Sequence, residues 1–242
     1  MIRARDLTIG YRDLVLVRDM DFEVDAGDVF LVLGGSGSGK TTLMRTMIGL
    51  MEPLGGTIEI EGVRRGAEGP PPYGVLFQSA ALFGSMTLAE NVSLPLRSWT
   101  RLDRQTIDEI VHWKLHLVGL DGFENHLPAE LSGGMRKRAG IARALALESR
   151  LLFLDEPGAG LDPSTAAEID ELLLTLNASL GVTLVVVTHE LHSIFAIGKT
   201  CILLDSGAQA IIARGDPRTL RDAEGDPRVR RFFHRVTRND AR

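Results

Sequence analysis

At 242 residues the chain is long enough to bury a substantial core, and its 44% apolar and 24% charged residues exclude a disordered or collagen-like protein. A formal net charge of -5 argues against a broad basic surface for nucleic acid. The longest apolar stretches, such as VFLVLGG and VTLVVVTH, are strand-length and fall far short of the ~20 residues needed to cross a bilayer, so any membrane role must run through a partner.

The opening segment MIRARDLTIGY alternates apolar and polar residues like a strand and has no continuous apolar stretch of the kind a secretory leader carries. Next, the strand DVFLVLG runs into GGSGSGKTT, residues 34–42, and then into the helical pattern LMRTMIGLM. This is G-x-x-x-x-G-K-[ST] in its strand-loop-helix setting. Gly34, Gly35, Gly37 and Gly39, interleaved with Ser36 and Ser38, let the backbone wrap so that N–H groups face phosphate oxygens, and the helix N-terminus adds its positive end. Lys40 is expected to bridge the β- and γ-phosphates and Thr41 to ligate Mg²⁺, with Thr42 a less determined neighbour.

Short runs rich in β-branched residues, namely TIEIEG, YGVLFQ, LLFLDEP and VTLVVVTH, alternate with helical patterns and predict an α/β protein with a parallel sheet covered by helices. The segment 64–74, RRGAEGPPPYG, reads as a turn or surface loop, because successive prolines cannot donate ladder hydrogen bonds. Residues 81–147 carry no good strand and read as a helical insertion, with helices expected over 87–97, 103–118 and 132–148. In LSGGMRKRAGIARALA, Ser132 can cap the third helix, and its amides with Gly133 and Gly134 form a second phosphate-facing surface.

Further on, LLFLDEP ends an apolar strand in Asp155 and Glu156. Beside a bound nucleotide, Asp155 suits Mg²⁺ and Glu156 suits a general base for water, although a strand-end acid pair taken alone is more often solvated. His189, after the strand in VVVTHEL, can donate to a γ-phosphate, while an isolated strand-end histidine is usually structural. The single cysteine, Cys201 in CILLD, reads as a buried strand thiol and fits a reducing compartment.

Taken together these segments resemble an ABC ATPase. GGSGSGKTT resembles Walker A, LSGGM (Leu131, Ser132, Gly133, Gly134 and Met135) the family signature, LLFLDE Walker B, AGLD through Asp162 the D-loop, and His189 the switch histidine. Gln78, ending YGVLFQ, matches the Q-loop, which implies contact with Mg²⁺ or water and a report of γ-phosphate status, and Tyr11 matches the aromatic residue that stacks on adenine. The resemblance implies a RecA-like P-loop core with an antiparallel β subdomain and an inserted α-helical subdomain. Residues 1–80 and 148–214 then form the core, 81–147 the insertion and 215–242 a C-terminal helical tail. It also implies ATP and Mg²⁺ as ligands and a head-to-tail homodimer in which each signature covers the ATP of the other copy. A transmembrane permease would hold the pair on the cytoplasmic face of a bacterial inner membrane, and no nucleic-acid partner is expected.

Met135 followed by RKRAGIARALAL, the run FQSAALFGSMTLAENVSLPLR from Phe77 and the tail DPRVRRFFHRV resemble the ATPases of Mla and Mce lipid-transport systems. Those relatives energise phospholipid traffic with a permease, an MCE-domain protein and sometimes a STAS-domain subunit. The chain departs from them before Gln78, where the proline-rich loop replaces a longer, more basic segment. An ATPase for a solute importer, such as an amino-acid system, is the nearer alternative, and a non-transport ABC protein the further one.

Overall fold

In a computed structural model, which describes residues 1–60 and 69–234, the chain begins with β1 (Ile2–Tyr11), β2 (Leu14–Val24) and β3 (Val29–Gly34), then α1 (Lys40–Met47) and β4 (Gly55–Ile60). A short β5 (Gly74–Leu76) precedes the helices α2 (Leu88–Trp99), α3 (Arg104–Leu117) and α4 (Gly133–Ala144). Strands and helices then alternate through β6 (Leu151–Asp155), α5 (Pro163–Leu180), β7 (Thr183–Val187), α6 (Leu191–Ile197) and β8 (Thr200–Asp205). The last elements are β9 (Ala210–Gly215), α7 (Pro217–Asp222) and α8 (Pro227–Phe233). Two compact units emerge, residues 1–60 with 187–234, and residues 69–186.

In the first unit, β1 lies between β2 and β4 in an antiparallel sheet of order β2-β1-β4, with Ile2 opposite both Val24 and Ile60. Its alternation puts Ile2, Ala4, Leu7 and Ile9 in the core. The TIEIEG segment therefore departs from expectation, since β4 joins this antiparallel sheet and not the parallel one. Its burial shows why: Ile58 and Ile60 are buried while Thr57 and Glu59 are exposed, the pattern of a strand covered on one face only. In β3, by contrast, all six residues are buried. This strand pairs in parallel with β8, and β9 closes the edge antiparallel, giving the order β3-β8-β9. The tail packs back on the same unit, with Phe233 against Phe195 and Arg221 over the Phe195 ring, while residues 235–242 lie outside the described residues.

In the second unit the order is β5-β6-β7, with β5 parallel to β6 in the register Gly74↔Leu152 and Leu76↔Leu154. The expected helices are present and begin at side-chain caps: Thr87 with Glu90 forms a capping box, and Asp103 and Ser132 each accept from an amide of the first turn, as Asp162 does at the start of α5. Such a cap contributes ~1 kcal/mol. The helix expected over 132–148 stops at Ala144, because Leu145 caps it and Glu148 takes a left-handed conformation (φ 55) that no α-helix continues through. Of the proline-rich segment, residues 64–68 lie outside the described residues, and Pro70 to Pro72 form no strand before β5.

Cys201 is buried in β8, and desolvation pushes its thiol up to about 12. The folded protein should therefore resist alkylation at pH 8 and label only after denaturation, followed by mass spectrometry; rapid labelling of the native chain would contradict this burial.

Candidate functional site

β3 delivers Gly34 at its carboxyl end, and the loop then turns on Gly37 (φ 74) and Gly39 (φ 94), conformations that L side chains rarely adopt. A Cβ on Gly34 would sit 2.2 Å from the Ser38 hydroxyl, whereas the space around Gly35 and Gly37 is open. No side chain caps α1, and a helix N-terminus directs its first amides and the positive end of its dipole toward an anion. The Lys40 ammonium is buried and donates to Gly34 O and Gly35 O, both at 3.0 Å, which holds it arched over the loop. The Ser38 Oγ is buried with no hydrogen-bond partner among the described residues. A hydroxyl in this position, uncapped amides and a held ammonium form a donor set that fits a phosphate chain.

Around this loop the first unit gathers more of the expected residues. Thr41 is half-buried and Thr42 buried, and the Thr42 hydroxyl lies 3.1 Å from the Tyr11 hydroxyl. Tyr11 is 46% exposed, leaving its ring accessible for stacking. Thr188 N donates to Val32 O of β3, which brings His189, with an exposed side chain, beside the strand that feeds the loop.

The second unit gathers the remainder. β6 ends at Asp155, and Glu156 follows with φ 49; both side chains are buried. Gln78 follows β5 with its side chain exposed, and its carbonyl accepts from the Lys137 ammonium at 2.7 Å. The same ammonium donates to Glu156 O at 2.8 Å. Two residues past Gln78, the Arg143 guanidinium donates to Ala80 O at 2.8 Å and Ala81 O at 2.7 Å. Burial holds that guanidinium somewhat below its ordinary pKa.

Both lysine and arginine project from α4, the helix that Ser132 caps through Met135 N at 3.2 Å. Leu131 is buried, Ser132 exposed and Met135 half-buried. The signature glycines also serve packing within the chain: a Cβ on Gly134 would lie 2.4 Å from Thr165, and one on Gly133 2.9 Å from Leu161. Thr165 in turn donates to Asp162 through its amide at 3.0 Å and its hydroxyl at 2.6 Å, which holds the Asp162 carboxyl below the usual range. Gln78, Glu156, the signature helix and Asp162 thus form one connected cluster.

For a cation, Thr41 in the first unit and Asp155 in the second each carry an oxygen of the kind Mg²⁺ takes. Among the described residues no group of three or more His, Cys, Asp or Glu forms a protein-only cage. One or two protein oxygens completed by substrate phosphates is the usual way Mg²⁺ is held.

Lys137 and Arg143 were not singled out by the sequence. Within RKR, Lys137 reads as part of a solvated basic run, yet it stands at i+3 from Gly134 and i-4 from Ile141, both buried. That periodicity was the available signal.

Comparison with known proteins agrees with this architecture. Residues 17–159 match the ABC transporter family. The chain is 41% identical over 198 residues to a probable ribonucleotide transport ATP-binding protein, mkl, of Mycobacterium leprae, covering 79% of this chain and 57% of that protein. It thus spans little more than half the length of that relative. It is 37% identical over 240 residues to the intermembrane phospholipid transport system ATP-binding protein MlaF of Escherichia coli, covering 96% and 88%. Against the methionine import ATP-binding protein MetN 2 of Listeria monocytogenes it is 36% identical over 245 residues, covering 98% and 71%. Among solved structures, the bacterial ABC transporter cassette MJ0796, determined as a dimer, aligns with a TM-score of 0.79 at 28% identity, covering 89% and 98%. CbiO1 of Clostridium perfringens aligns with a TM-score of 0.81 at 27% identity, covering 90% and 88%.

The fold and the phosphate loop define a P-loop ATP-binding cassette. The chain belongs to the ABC transporter family, whose cassettes bind ATP, and its likeness to ABC ATPases supports ATP hydrolysis.

α4 can lie this close to β5 only because Gly74 has no side chain, since a Cβ there would meet Ala144 O at 2.1 Å. Gly74→Ala is expected to lower stability by ~1–3 kcal/mol through this backbone clash, read as a shift in the urea midpoint; an unchanged midpoint would show that the helix yields freely.

Proposed function

We propose that this chain is the ATP-hydrolysing subunit of a phospholipid transporter, working as a head-to-tail pair of copies held by a transmembrane permease. The loop 34–42, with Lys40 held over it and α1 uncapped behind it, is the observation that carries the nucleotide assignment. Lys40 neutralises charge on the β- and γ-phosphates, Ser36 and Ser38 with the loop amides hold their oxygens, and Tyr11 stacks on adenine, worth ~1–3 kcal/mol. Thr41, Asp155 and Gln78 would hold a Mg²⁺ that enters with the nucleotide, and it would supply further neutralisation of the phosphate oxygens.

Glu156 takes a proton from the attacking water as the bond from the γ-phosphorus to the β–γ bridging oxygen breaks, and His189 donates to the γ-phosphate. Leu131, Ser132, Gly133, Gly134, Met135 and Asp162 act on the nucleotide of the other copy. Closure then requires ATP, and hydrolysis releases it.

The permease is assigned to a half-open groove of ≈ 350 Å³ beside Gln78, lined by Tyr73, Phe77, Phe83, Leu94, Pro95 and Trp99. Phe83 and Trp99 are 52% and 49% exposed there, apolar surface that a partner would cover. No described helix is long and apolar enough to cross a membrane. We assign the cassette to the cytoplasmic face of the inner membrane as a peripheral subunit, a place that rests on its likeness to MlaF. Phospholipid as cargo rests on the MlaF relationship over 96% of the chain together with Met135 and its RKR, and an MCE-domain protein with or without a STAS-domain subunit completes the assembly. Identity to MetN 2 over 98% of the chain keeps a solute importer as the second reading.

Glu156→Gln should retain ATP binding and accumulate a nucleotide-bound dimer while turnover falls ~10²–10⁴-fold, measured by phosphate release alongside size-exclusion chromatography. Near-normal steady-state hydrolysis would refute the base.

For the cargo, deleting the gene should raise phospholipid in the outer leaflet of the outer membrane and sensitise cells to detergent, with rescue by the wild-type gene but not by the Glu156→Gln form. Loss of uptake of a single amino acid with unchanged membrane lipids would establish the importer instead.

A further inference from the structure

The signature helix meets the Q-loop and the Walker B turn through one buried cation. Lys137 is 5% exposed, and its ammonium donates to Gln78 O at 2.7 Å and to Glu156 O at 2.8 Å. A buried ammonium is costly unless its donors are used, and two charge-assisted bonds to carbonyls hold it there. Both acceptors sit where the backbone needs outside support. Glu156 itself has φ 49, and Ala80 and Ala81, just after Gln78, have φ 60 and φ 49, left-handed conformations unfavourable for residues with a Cβ.

The remaining contacts run along the same face of α4 at helical spacing. Gly140 lets the helix approach, since a Cβ there would lie 2.5 Å from Leu76 and 3.3 Å from Ala80, and Arg143 holds the Ala80 and Ala81 carbonyls. The Arg143 guanidinium bonds carbonyls just after Gln78, whereas the Lys137 ammonium bonds the Gln78 carbonyl and that of Glu156 together.

The geometry points to Lys137 as a positioning residue for hydrolysis, one ammonium that fixes the Gln78 and Glu156 backbones relative to α4. It rests on the reading of Glu156 as the base and Gln78 as the sensor. Its two bonds run to backbone carbonyls, so Lys137 acts through the backbone that aims the Glu156 carboxylate. A displacement of α4 at its Ser132 end then moves the base and the sensor of its own chain together.

The test compares the full-length wild type with Lys137→Met, which keeps the chain length of the side chain and removes its donors, and with Lys137→Gln, which restores an N–H donor. Lys137→Met should lose at least tenfold in kcat with KM for ATP within threefold. In the nucleotide-free protein, amide hydrogen exchange over residues 78–81 and 156–159 should speed up at least tenfold. Lys137→Gln should recover kcat and slow exchange in parallel. Wild-type kcat in Lys137→Met, a loss confined to KM, or lost turnover with unchanged exchange overturns the proposal. If Lys137→Met does not fold, Lys137→Gln decides alone, because recovery of exchange protection without turnover, or the reverse, breaks the link. Glu156→Gln run in parallel separates the two readings: full turnover there removes the base assignment, while the exchange measurement still reports on the Lys137 tie.

Discussion

β3 and β6 are buried along their whole length, so the chain that leaves their carboxyl ends must find partners for backbone groups that no water reaches. The same device answers this need in each compact unit. After β3, the Lys40 ammonium binds the carbonyls of Gly34 and Gly35; after β6, the Lys137 ammonium binds that of Glu156 together with that of Gln78 after β5. Each lysine lies at or near the start of a helix, each is nearly buried, and each spans two carbonyls. The difference is what each turn presents. The loop after β3 leaves open space around Gly35 and Gly37, whereas the left-handed residue after β6, Glu156, carries a buried carboxylate.

How much of this was legible follows from how local each feature is. The phosphate loop is written in nine consecutive residues, and the helix starts at Thr87, Asp103 and Ser132 in the few residues that cap them, so pattern sufficed. The sheet that TIEIEG joins was not legible, because its partner is Ile2–Tyr11, some fifty residues away in sequence, and only the register decides whether one face or both are covered. The end of α4 was missed because LALE has good helix propensity, and propensity carries no sign of the left-handed turn at Glu148. Lys137 was hidden by composition, since its arginine neighbours make the run look solvated, although the spacing to Gly134 and Ile141 placed it on the inner face.

The glycines of the signature show how one residue answers two demands. Gly134 is buried against Thr165, and Thr165 is bonded twice to Asp162, so a side chain at 134 would disturb the start of α5 before any nucleotide were involved. Gly133 is likewise close to Leu161. The surface offered at Ser132 is therefore shaped by packing within the chain, and in the proposed pair a second copy would meet it already formed. Such preorganisation spares the ordering cost that a flexible loop would meet on association.

Cargo is a different kind of information. The groups proposed for hydrolysis contact phosphate, metal or backbone, and relatives named for ribonucleotide, phospholipid and methionine transport share 41%, 37% and 36% identity with the chain. A chemistry common to such different cargoes cannot distinguish among them, so specificity must reside in surfaces that meet other subunits. The groove beside Gln78 is where this chain can express such a difference, because Phe83 and Trp99 are free to be matched by a partner while Arg143, lining the same groove, also holds the Ala80 and Ala81 carbonyls. On the proposed roles, a partner seated there would act on the segment that Lys137 ties to Glu156, and the choice of partner and the timing of hydrolysis would meet in one stretch of backbone.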